Sequence, residues 1–268
     1  MIVTDTKYTK PERPHYDELS DQELLRYSRQ IMLPKFDIAG QLALKNATVL
    51  ILGLGGLGSP ASMYLAAAGV GKLVLIDDDS VDLSNLQRQI VHSERTLGQT
   101  KVESAASQLN QINPHIDYEI VAKRLEGSDL KAAIAAVDLV LDCSDNFATR
   151  FEVNRYSVET GKPLVSAAAI RMEGQISVYD PRVETSPCYQ CLYPEGSEQA
   201  MTCSESGVMS PLVGILGSMQ AMEAIKVLSG LGESLVGKLL MLDAMTMQWR
   251  SLKLKKDPSC SCCSINQE

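Results

Sequence analysis

The segment Thr48-Val-Leu-Ile-Leu-Gly-Leu-Gly-Gly-Leu-Gly58 is the strongest indication of the fold of this chain. Residues 48–52 form a continuous, mainly apolar run, which is typical of a strand buried on both faces of a parallel sheet. The run passes directly into Gly53-Leu-Gly55-Gly56-Leu-Gly58, and residues 58–68 predict a helix. A strand, a G-x-G-x-x-G turn and a helix in this order favour a nucleotide site, because the helix N-terminus can hold a phosphate. A plain strand-to-helix turn is the alternative.

Strand and helix patterns alternate on the C-terminal side of this unit. Further strands are predicted at 73–76, 118–121, 138–142 and 163–167, and helices at 100–112, 129–136 and 146–159. Such alternation implies right-handed crossovers and a parallel sheet. Upstream, Ser20 and Glu23 form a capping-box pattern that predicts a helix ending near Pro34, and a second helix is predicted at 38–44.

The alternation stops after residue 168. Residues 174–179 and 239–254 predict longer strands, which we interpret as antiparallel, and residues 211–229 predict a helix. We therefore predict an α/β fold with a Rossmann-like, doubly wound, mainly parallel sheet and antiparallel C-terminal strands. We find no linker, so 19–268 is predicted to be one domain, and the polar residues 1–18 a flexible N-terminal arm.

Composition and charge narrow the class of protein. The 268 residues carry a formal net charge of −8, which argues against a nucleic-acid partner. The N-terminus lacks the apolar core of a secretory signal, and no run of about 18 apolar residues suggests a membrane span. We expect a cytoplasmic protein, in which paired cysteines are metal ligands more often than disulfides.

The residues after the glycine-rich turn predict which nucleotide binds. Asp77 ends the second strand, where it can accept a hydrogen bond from a ribose hydroxyl. This motif alone favours NAD, whereas a triphosphate needs several cations and usually Mg²⁺. Polar and charged residues predicted at the same sheet edge could bind a triphosphate and its metal. They are Asn85, Arg88, Gln89, Lys101, Asp145 as a Mg²⁺ ligand, and Asn146. Taken singly, each of them is also compatible with an ordinary solvated surface.

Five motifs resemble the MoeB/ThiF/HesA family, bacterial relatives of ubiquitin-activating enzymes. They are Arg26-Tyr-Ser-Arg-Gln-Ile31, the glycine turn, Asp79-Ser-Val-Asp-Leu-Ser-Asn-Leu-Gln-Arg-Gln89, Gly98-Gln-Thr-Lys-Val-Glu-Ser104 and Asp142-Cys-Ser-Asp-Asn146. The resemblance extends from about Leu19 to Cys263. Within the family, Ala168–Gln175 and Gly207–Leu212 are most similar to the molybdopterin branch.

The resemblance implies an ATP-dependent adenylyltransferase. Its substrate would be the C-terminal glycine of a ubiquitin-like sulfur carrier of the MoaD type, activated as an acyl-adenylate for molybdenum-cofactor biosynthesis. A ThiS-type carrier of thiamin biosynthesis is the first alternative. The residues implied to contact ATP or Mg²⁺ are Asp77, Asn85, Arg88, Lys101 and Asp145. Arg29 is implied to reach the ATP of the other subunit of a homodimer, and sulfur would come from a separate donor protein.

This chemistry needs no catalytic triad. A C-terminal carboxylate has a pKa of about 3.5 and is already ionised at neutral pH. The enzyme must align it with the α-phosphate and stabilise the leaving pyrophosphate, which arginine, lysine and Mg²⁺ can do. His15, His92 and His115 are the histidines of the chain, and none lies in a recognisable catalytic motif. An NAD-dependent oxidoreductase and a non-catalytic nucleotide-binding scaffold remain as further alternatives.

The cysteines predict a structural metal site. Cys188-Tyr-Gln-Cys191 and Cys260-Ser-Cys-Cys263 are two C-x-x-C pairs, which suit a four-thiolate Zn²⁺ site. A redox or disulfide role is the alternative, and Cys262 is a spare thiol within the second pair. Cys203 is a candidate for covalent sulfur transfer, because ThiF-type relatives bond the carrier at a matching cysteine, but adenylation in MoeB-type relatives does not need it.

Overall fold

One sheet runs through both halves of the described chain. The computed structural model describes residues 14–193 and 206–264. The strands of this part of the chain pair in the order β3-β2-β1-β4-β5-β6-β7-β8. They are β1 Thr48–Leu52, β2 Lys72–Ile76, β3 Asp117–Val121, β4 Leu139–Asp142, β5 Leu164–Ile170, β6 Glu173–Tyr179, β7 Lys238–Asp243 and β8 Gln248–Lys253.

Helices cover both faces of the parallel part of this sheet. They are α1 Asp21–Arg26, α2 Ser28–Ile31, α3 Asp37–Asn46, α4 Gly58–Ala68, α5 Lys101–Ile112, α6 Gly127–Ala135, α7 Phe147–Thr160, α8 Tyr189–Leu192 and α9 Ser210–Ser229, with 3₁₀ turns at Leu83–Asn85 and Glu94–Thr96. Strands β1 to β5 are parallel, and β5 to β8 are antiparallel. The predicted mixed sheet is confirmed, and its parallel half has the Rossmann strand order.

Alternate residues of the central strand serve two separate cores. Val49 and Ile51 of β1 pack with α4 and α5, whereas Leu50 and Leu52 pack with α6 and α7. Successive side chains of a strand point to opposite faces, so a strand between two helical layers has no polar face. This arrangement explains the apolar run that identified the strand.

Two predicted elements were divided in the structure. The strand expected at 239–254 is the hairpin β7–β8, which turns through Ala244–Met247. That turn contains no glycine, proline or asparagine, and Met247 adopts a φ of 56°. The helix expected from Ser20 to Pro34 breaks at Tyr27, whose ring is buried and whose Oη accepts a hydrogen bond from Asn113 Nδ2 at 2.8 Å. The predicted Ser20–Glu23 capping box is present.

Helix α9 packs across the strands that join the two halves of the sheet. By length and apolar composition alone it would suit a membrane span, but it contacts α4, β5 and β6 and contributes Leu212 and Leu216 to the core. A Cβ atom at Gly217 would lie 2.2 Å from the Leu57 carbonyl oxygen. The close approach of α9 and α4 therefore requires glycine at this position.

The described end of the predicted arm contacts the domain. Tyr16 N–H donates to Asn46 Oδ1 at 2.8 Å, and Asn46 Nδ2 donates to the Tyr16 carbonyl oxygen at 2.9 Å. The Lys45 ammonium lies 4.3 Å from the centre of the Tyr16 ring. Residues 1–13 lie outside the described part of the chain.

Candidate active site

A cavity of about 420 Å³ opens beyond the carboxyl ends of the parallel strands. It is lined by most of the predicted nucleotide residues: Gly53, Gly55, Gly56, Asp77, Arg88, Gln89, Lys101, Asp145 and Asn146. Gly58, Asn85 and Arg29 are not among its lining residues. The cavity continues over Ala168, Gln175 and Met241 of the antiparallel strands. One open space thus joins the nucleotide motif to the surface of the antiparallel half.

Backbone crowding explains two of the four motif glycines. Gly53 has a φ of 91°, which L-residues with side chains rarely adopt. A Cβ atom at Gly58 would lie 1.9 Å from the Gly53 carbonyl oxygen, so the first residue of α4 must be glycine. Asp77 Oδ2 accepts a hydrogen bond from Leu54 N–H at 2.7 Å and holds the turn against β2.

Lys101 lies between two carboxylates at the first position of α5. Its Nζ is 2.7 Å from Asp79 Oδ2 and 3.9 Å from Asp77 Oδ1. Burial raises the pKa of Asp77, and the nearby Lys101 charge opposes that rise. The Asp77 oxygens also accept backbone N–H groups of Leu54 and Asp79, yet a carboxylate oxygen has two lone pairs and can accept a further donor.

The segment after β2 places Arg88 and Gln89 at the cavity. Arg88 is half-buried, and its Nη1 donates to the Ser84 carbonyl oxygen at 3.2 Å. Gln89 is 4% exposed, and its Oε1 has no hydrogen-bond partner among the residues described. An unpaired buried acceptor beside a cavity favours a ligand that donates a hydrogen bond. Asn85 instead accepts Asp82 N–H at 3.2 Å, which stabilises the 3₁₀ turn.

The residues after β4 form the opposite wall. Asn146 caps α7 by accepting a hydrogen bond from Thr149 N–H at 2.9 Å, and Asp145 is exposed at the cavity. Arg150 is 7% exposed, and its Nη2 donates to the carbonyl oxygens of Ser144 and Ala167. Burial lowers the pKa of Arg150, but the Asp142 carboxylate together with Tyr189 and Tyr193 outweighs this effect and leaves the pKa raised.

Several lining residues were missed by the sequence analysis. Lys123 and Arg124 follow β3 and line the cavity, as do Tyr189 and Tyr193 near α8. Ligands bind beyond the carboxyl ends of parallel strands, and this rule predicted Asp77 and Asp145 as site residues. The same rule applies to β3 and would have predicted Lys123 and Arg124. No local pattern could place the tyrosines there, because contacts between distant segments bring α8 to the cavity.

Carboxylates near the turn could hold a cation. The oxygens of Asp77, Asp78 and Asp79 lie within 4.8 Å of one another, and in the described chain no group of this kind includes Asp145. Carboxylate oxygens are the ligands that Mg²⁺ prefers. The acidic edge therefore has donors of the right chemistry, on a different strand end from the one predicted.

The four predicted zinc ligands meet in one cluster. The sulfurs of Cys188, Cys191, Cys260 and Cys263 lie within 4.8 Å of one another, with close pairs at 3.5, 3.7 and 3.9 Å. Four sulfurs bound tetrahedrally at about 2.3 Å from Zn²⁺ would be about 3.8 Å apart, so the donor set fits the metal. None of the four is disulfide-bonded. Cys262 lies outside the group and accepts a hydrogen bond from Asn154 Nδ2 at 3.3 Å.

The remaining described cysteines and histidines are either buried core residues or exposed surface residues. Burial raises the pKa of Cys143, whose Sγ donates to Gln220 Oε1 at 3.4 Å, so Cys143 is a core residue. His92 is buried beside the glycine turn, whereas His15 is exposed and pairs with Asp17. Cys203 lies outside the described residues.

This chain is similar to known adenylyltransferases. The chain is 56% identical over 246 residues to the molybdopterin-synthase adenylyltransferase of Escherichia coli K12, covering 92% of this chain and 98% of the relative. It is 46% identical over 245 residues to the sulfur carrier protein ThiS adenylyltransferase of the same organism, covering 91% and 97% of the two chains. The crystal structure of E. coli MccB with AMPCPP and MccA superposes with a TM-score of 0.78 at 26% identity, covering 89% and 74%.

The family comparison agrees with the motifs and with the geometry. Residues 27–262 match the ThiF family, a range that includes the glycine turn, the acidic edge and most of the cysteine cluster. The resemblance inferred from the five motifs is therefore confirmed. Near-complete coverage of the curated relatives and the cavity at the glycine-rich sheet edge agree with this match, and the chain belongs to the ThiF family of adenylyltransferases.

Proposed function

We propose that the protein uses ATP to adenylate the C-terminal glycine carboxylate of a MoaD-type sulfur carrier, with release of pyrophosphate. The reaction would serve molybdenum-cofactor biosynthesis in the cytoplasm. The observation that carries the proposal is the single cavity that joins the glycine turn and Lys101 to the antiparallel strands. A nucleotide and a peptide tail can meet only in a space of that kind. The 56% identity to a molybdopterin-synthase adenylyltransferase supports this choice of substrate.

The residues of the cavity suit an in-line displacement at the α-phosphate. The backbone N–H groups of the turn and the N-terminus of α4 would bind phosphate oxygens, and Asp77 would bind the ribose. Arg88 and Lys101 would neutralise the charge that develops on pyrophosphate. Bound Mg²⁺, held by Asp145 or by the Asp77–Asp79 carboxylates, would supply further neutralisation of the triphosphate. The incoming carboxylate is already ionised, so no residue has to remove a proton.

A row of cross-strand partners would form the path of the tail. Ala168, Gln175, Met241 and Arg250 are successive partners on β5, β6, β7 and β8 and share one face of the sheet. The first three line the cavity, and Arg250 is exposed. Four strands at a spacing of about 4.8 Å span about 14 Å, which matches a short extended peptide. The body of the carrier would then rest on the open face of β7 and β8.

Two further parts of the proposal concern assembly and stability. Arg29 is exposed on α2, and we assign it to the ATP site of the second subunit in a homodimer. The Zn²⁺ site would be structural, because four thiolates leave no open coordination position. It would tie the segment at Cys188 to the C-terminal segment at Cys260.

Carrier-dependent pyrophosphate exchange tests the proposal. Purified protein with Mg-ATP and a MoaD-type carrier should exchange labelled pyrophosphate into ATP, and the same carrier lacking its last glycine should not. Arg88→Ala should lower the exchange rate, with the melting temperature as the control for folding. No exchange with any Gly-Gly carrier would refute the activity. Exchange with a ThiS-type carrier alone would favour the thiamin alternative, which the 46% identity to a ThiS adenylyltransferase supports.

A further inference from the structure

His92 contacts the glycine turn from behind, although it does not line the cavity. Its side chain is buried, with 8% exposure. Nε2 lies 3.1 Å from the Leu54 carbonyl oxygen, and Nδ1 lies 2.8 Å from Ser104 Oγ on α5. The ring thus connects the turn between β1 and α4 to the first turns of the helix that carries Lys101.

The partners of the ring define its protonation state. A carbonyl oxygen has no hydrogen, so Nε2 must carry the proton that is shared with Leu54. Nδ1 can then accept the Ser104 hydroxyl proton, for which Thr96 Oγ1, 2.9 Å from Ser104 Oγ, is the competing acceptor. Burial, aided by the Lys101 charge and opposed by the hydrogen bond to Leu54, lowers the pKa of His92 to about 4, so the ring is neutral at physiological pH.

The two peptide groups that flank the Leu54 Cα are therefore both held by side chains. Its N–H donates to Asp77 Oδ2 at 2.7 Å, and its carbonyl oxygen accepts from His92 Nε2. Leu54 stands between Gly53 and Gly55, and glycines alone place few limits on the orientation of a peptide plane. The two contacts fix the peptide planes on either side of the Leu54 Cα, and the second plane also carries the N–H of Gly55, a residue that lines the cavity.

We infer that neutral His92 is a positioning residue for the nucleotide: it orients the Leu54–Gly55 peptide so that the amides from Gly55 onward converge on the phosphates. This inference rests on the proposed ATP site. Phosphate binding by backbone amides depends on their direction, so a turn that rotates by a few degrees loses affinity for ATP without loss of the fold. The effect is expected on ATP binding and not on binding of the carrier tail.

A matched pair of amide side chains tests the inference. In His92→Gln the Nε2 amide can still donate to Leu54, whereas in His92→Asn the amide reaches only the position of Nδ1. We expect His92→Asn to weaken Mg-ATP binding by about fivefold to tenfold, the effect of one lost hydrogen bond, and His92→Gln to stay within about twofold. The KM for the carrier should be unchanged in both variants. The measurements are calorimetric titration with Mg-ATP, pyrophosphate exchange and melting temperature.

Each outcome has one meaning. If the wild-type protein binds no ATP, the proposed function fails. If wild type binds ATP and His92→Asn binds it equally well, or if the Gln and Asn variants lose equal affinity, the positioning role is wrong. A wild-type measurement covers the case of a variant that does not fold: ¹⁵N spectra of His92 at pH 7 should show the neutral ring protonated on Nε2, and a charged ring or one protonated on Nδ1 would overturn the inference.

Discussion

Arg150 and Asp142 form a buried ion pair, with Nε of the arginine 4.0 Å from Oδ2 of the aspartate. Asp142 is fully buried, and its oxygens also accept hydrogen bonds from the Ser144 backbone and from the Ser166 hydroxyl. Arg150 donates to carbonyl oxygens on both sides of the pair. The pair thereby fixes the end of β4 and the start of α7, where Asp145 and Asn146 face the cavity.

Removing one partner of this pair should destabilise the fold severely. Arg150→Met leaves the Asp142 carboxylate buried without its counterion, and we expect a loss of about 3–5 kcal/mol in the free energy of unfolding. Lys131→Met, which breaks the exposed pair with Glu159 at 2.7 Å, should cost less than about 1 kcal/mol. Urea unfolding of both variants measures the difference. Equal midpoints would contradict this account.

Lys101 should affect catalysis far more than its exposed counterparts. Lys101→Met retains the approximate length of the side chain but removes the charge that, in the proposed mechanism, would face pyrophosphate. We expect the rate of pyrophosphate exchange to fall by about 10²–10³-fold. Lys255→Met, at an exposed position outside the cavity lining, should retain wild-type exchange. A Lys101→Met protein with more than half of the wild-type rate would remove Lys101 from the mechanism.

The cysteine cluster predicts which thiols determine the metal content. Cys263→Ser should lower the zinc content well below one ion per chain and lower the melting temperature by about 5 °C or more, because metal binding contributes directly to folding. Cys262→Ser removes a neighbouring thiol that lies outside the four-sulfur group, and it should retain one zinc. Elemental analysis and thermal scans of the two variants decide the matter. A zinc-free Cys263→Ser protein with the wild-type melting temperature would exclude a structural role for the metal.

Two glycines of one helix should respond in opposite directions to alanine. A Cβ atom at Gly217 would lie 2.2 Å from the Leu57 carbonyl oxygen, so Gly217→Ala must separate α9 from α4. A Cβ atom at Gly214 would meet nothing within 4 Å, and Gly214→Ala should stabilise the helix by about 0.5–1 kcal/mol. Chemical denaturation of the two variants tests the difference in sign. A stable Gly217→Ala protein would mean that the helices are less closely packed than described.

Stability should fall as the pH drops from about 6.5 towards 4. The pKa of His92 is lowered from 6.5 to about 4 by burial, so the unfolded chain binds a proton in this range that the folded chain does not. Folding stability then decreases with falling pH by at most about 1.4 kcal/mol per pH unit from this one group. His92→Gln lacks this titration and should show a smaller decrease between pH 6.5 and 4.5 in urea unfolding. If the free energy of unfolding falls equally with pH in the two proteins, His92 is not the group responsible.

The sequence predicts the parallel half of the sheet closely, for a physical reason. Strand β1 and helix α4 occur at the predicted residues, because an apolar run and a glycine turn are both local signals. The β7–β8 hairpin was read as one strand, because its turn from Ala244 to Met247 contains none of the usual turn residues. Local sequence patterns thus predict single strands and helices, but they do not reveal a turn that is stabilised by the pairing of its flanking strands.

The residues of the candidate site also fall into those that the sequence predicts and those that it does not. Asp77, Lys101 and Asp145 follow strands or open helices, and their positions at one sheet edge follow from topology. Tyr189 reaches the cavity only because the cysteine cluster and α7 hold α8 against the sheet, a contact between segments far apart in the sequence. The support that His92 gives to the turn likewise depends on the packing of α5 and has no sequence signature.

The two halves of the sheet differ in how freely they can diverge. Residues of β1 serve one core or the other, so this central strand of the parallel half has no face on which substitutions are harmless. All six residues of β8 are exposed. Related chains can therefore change the surface presented to a partner protein by substitutions in the last hairpin while the nucleotide-binding half stays the same. In this architecture, selection for a new partner and preservation of the chemistry act on separate strands.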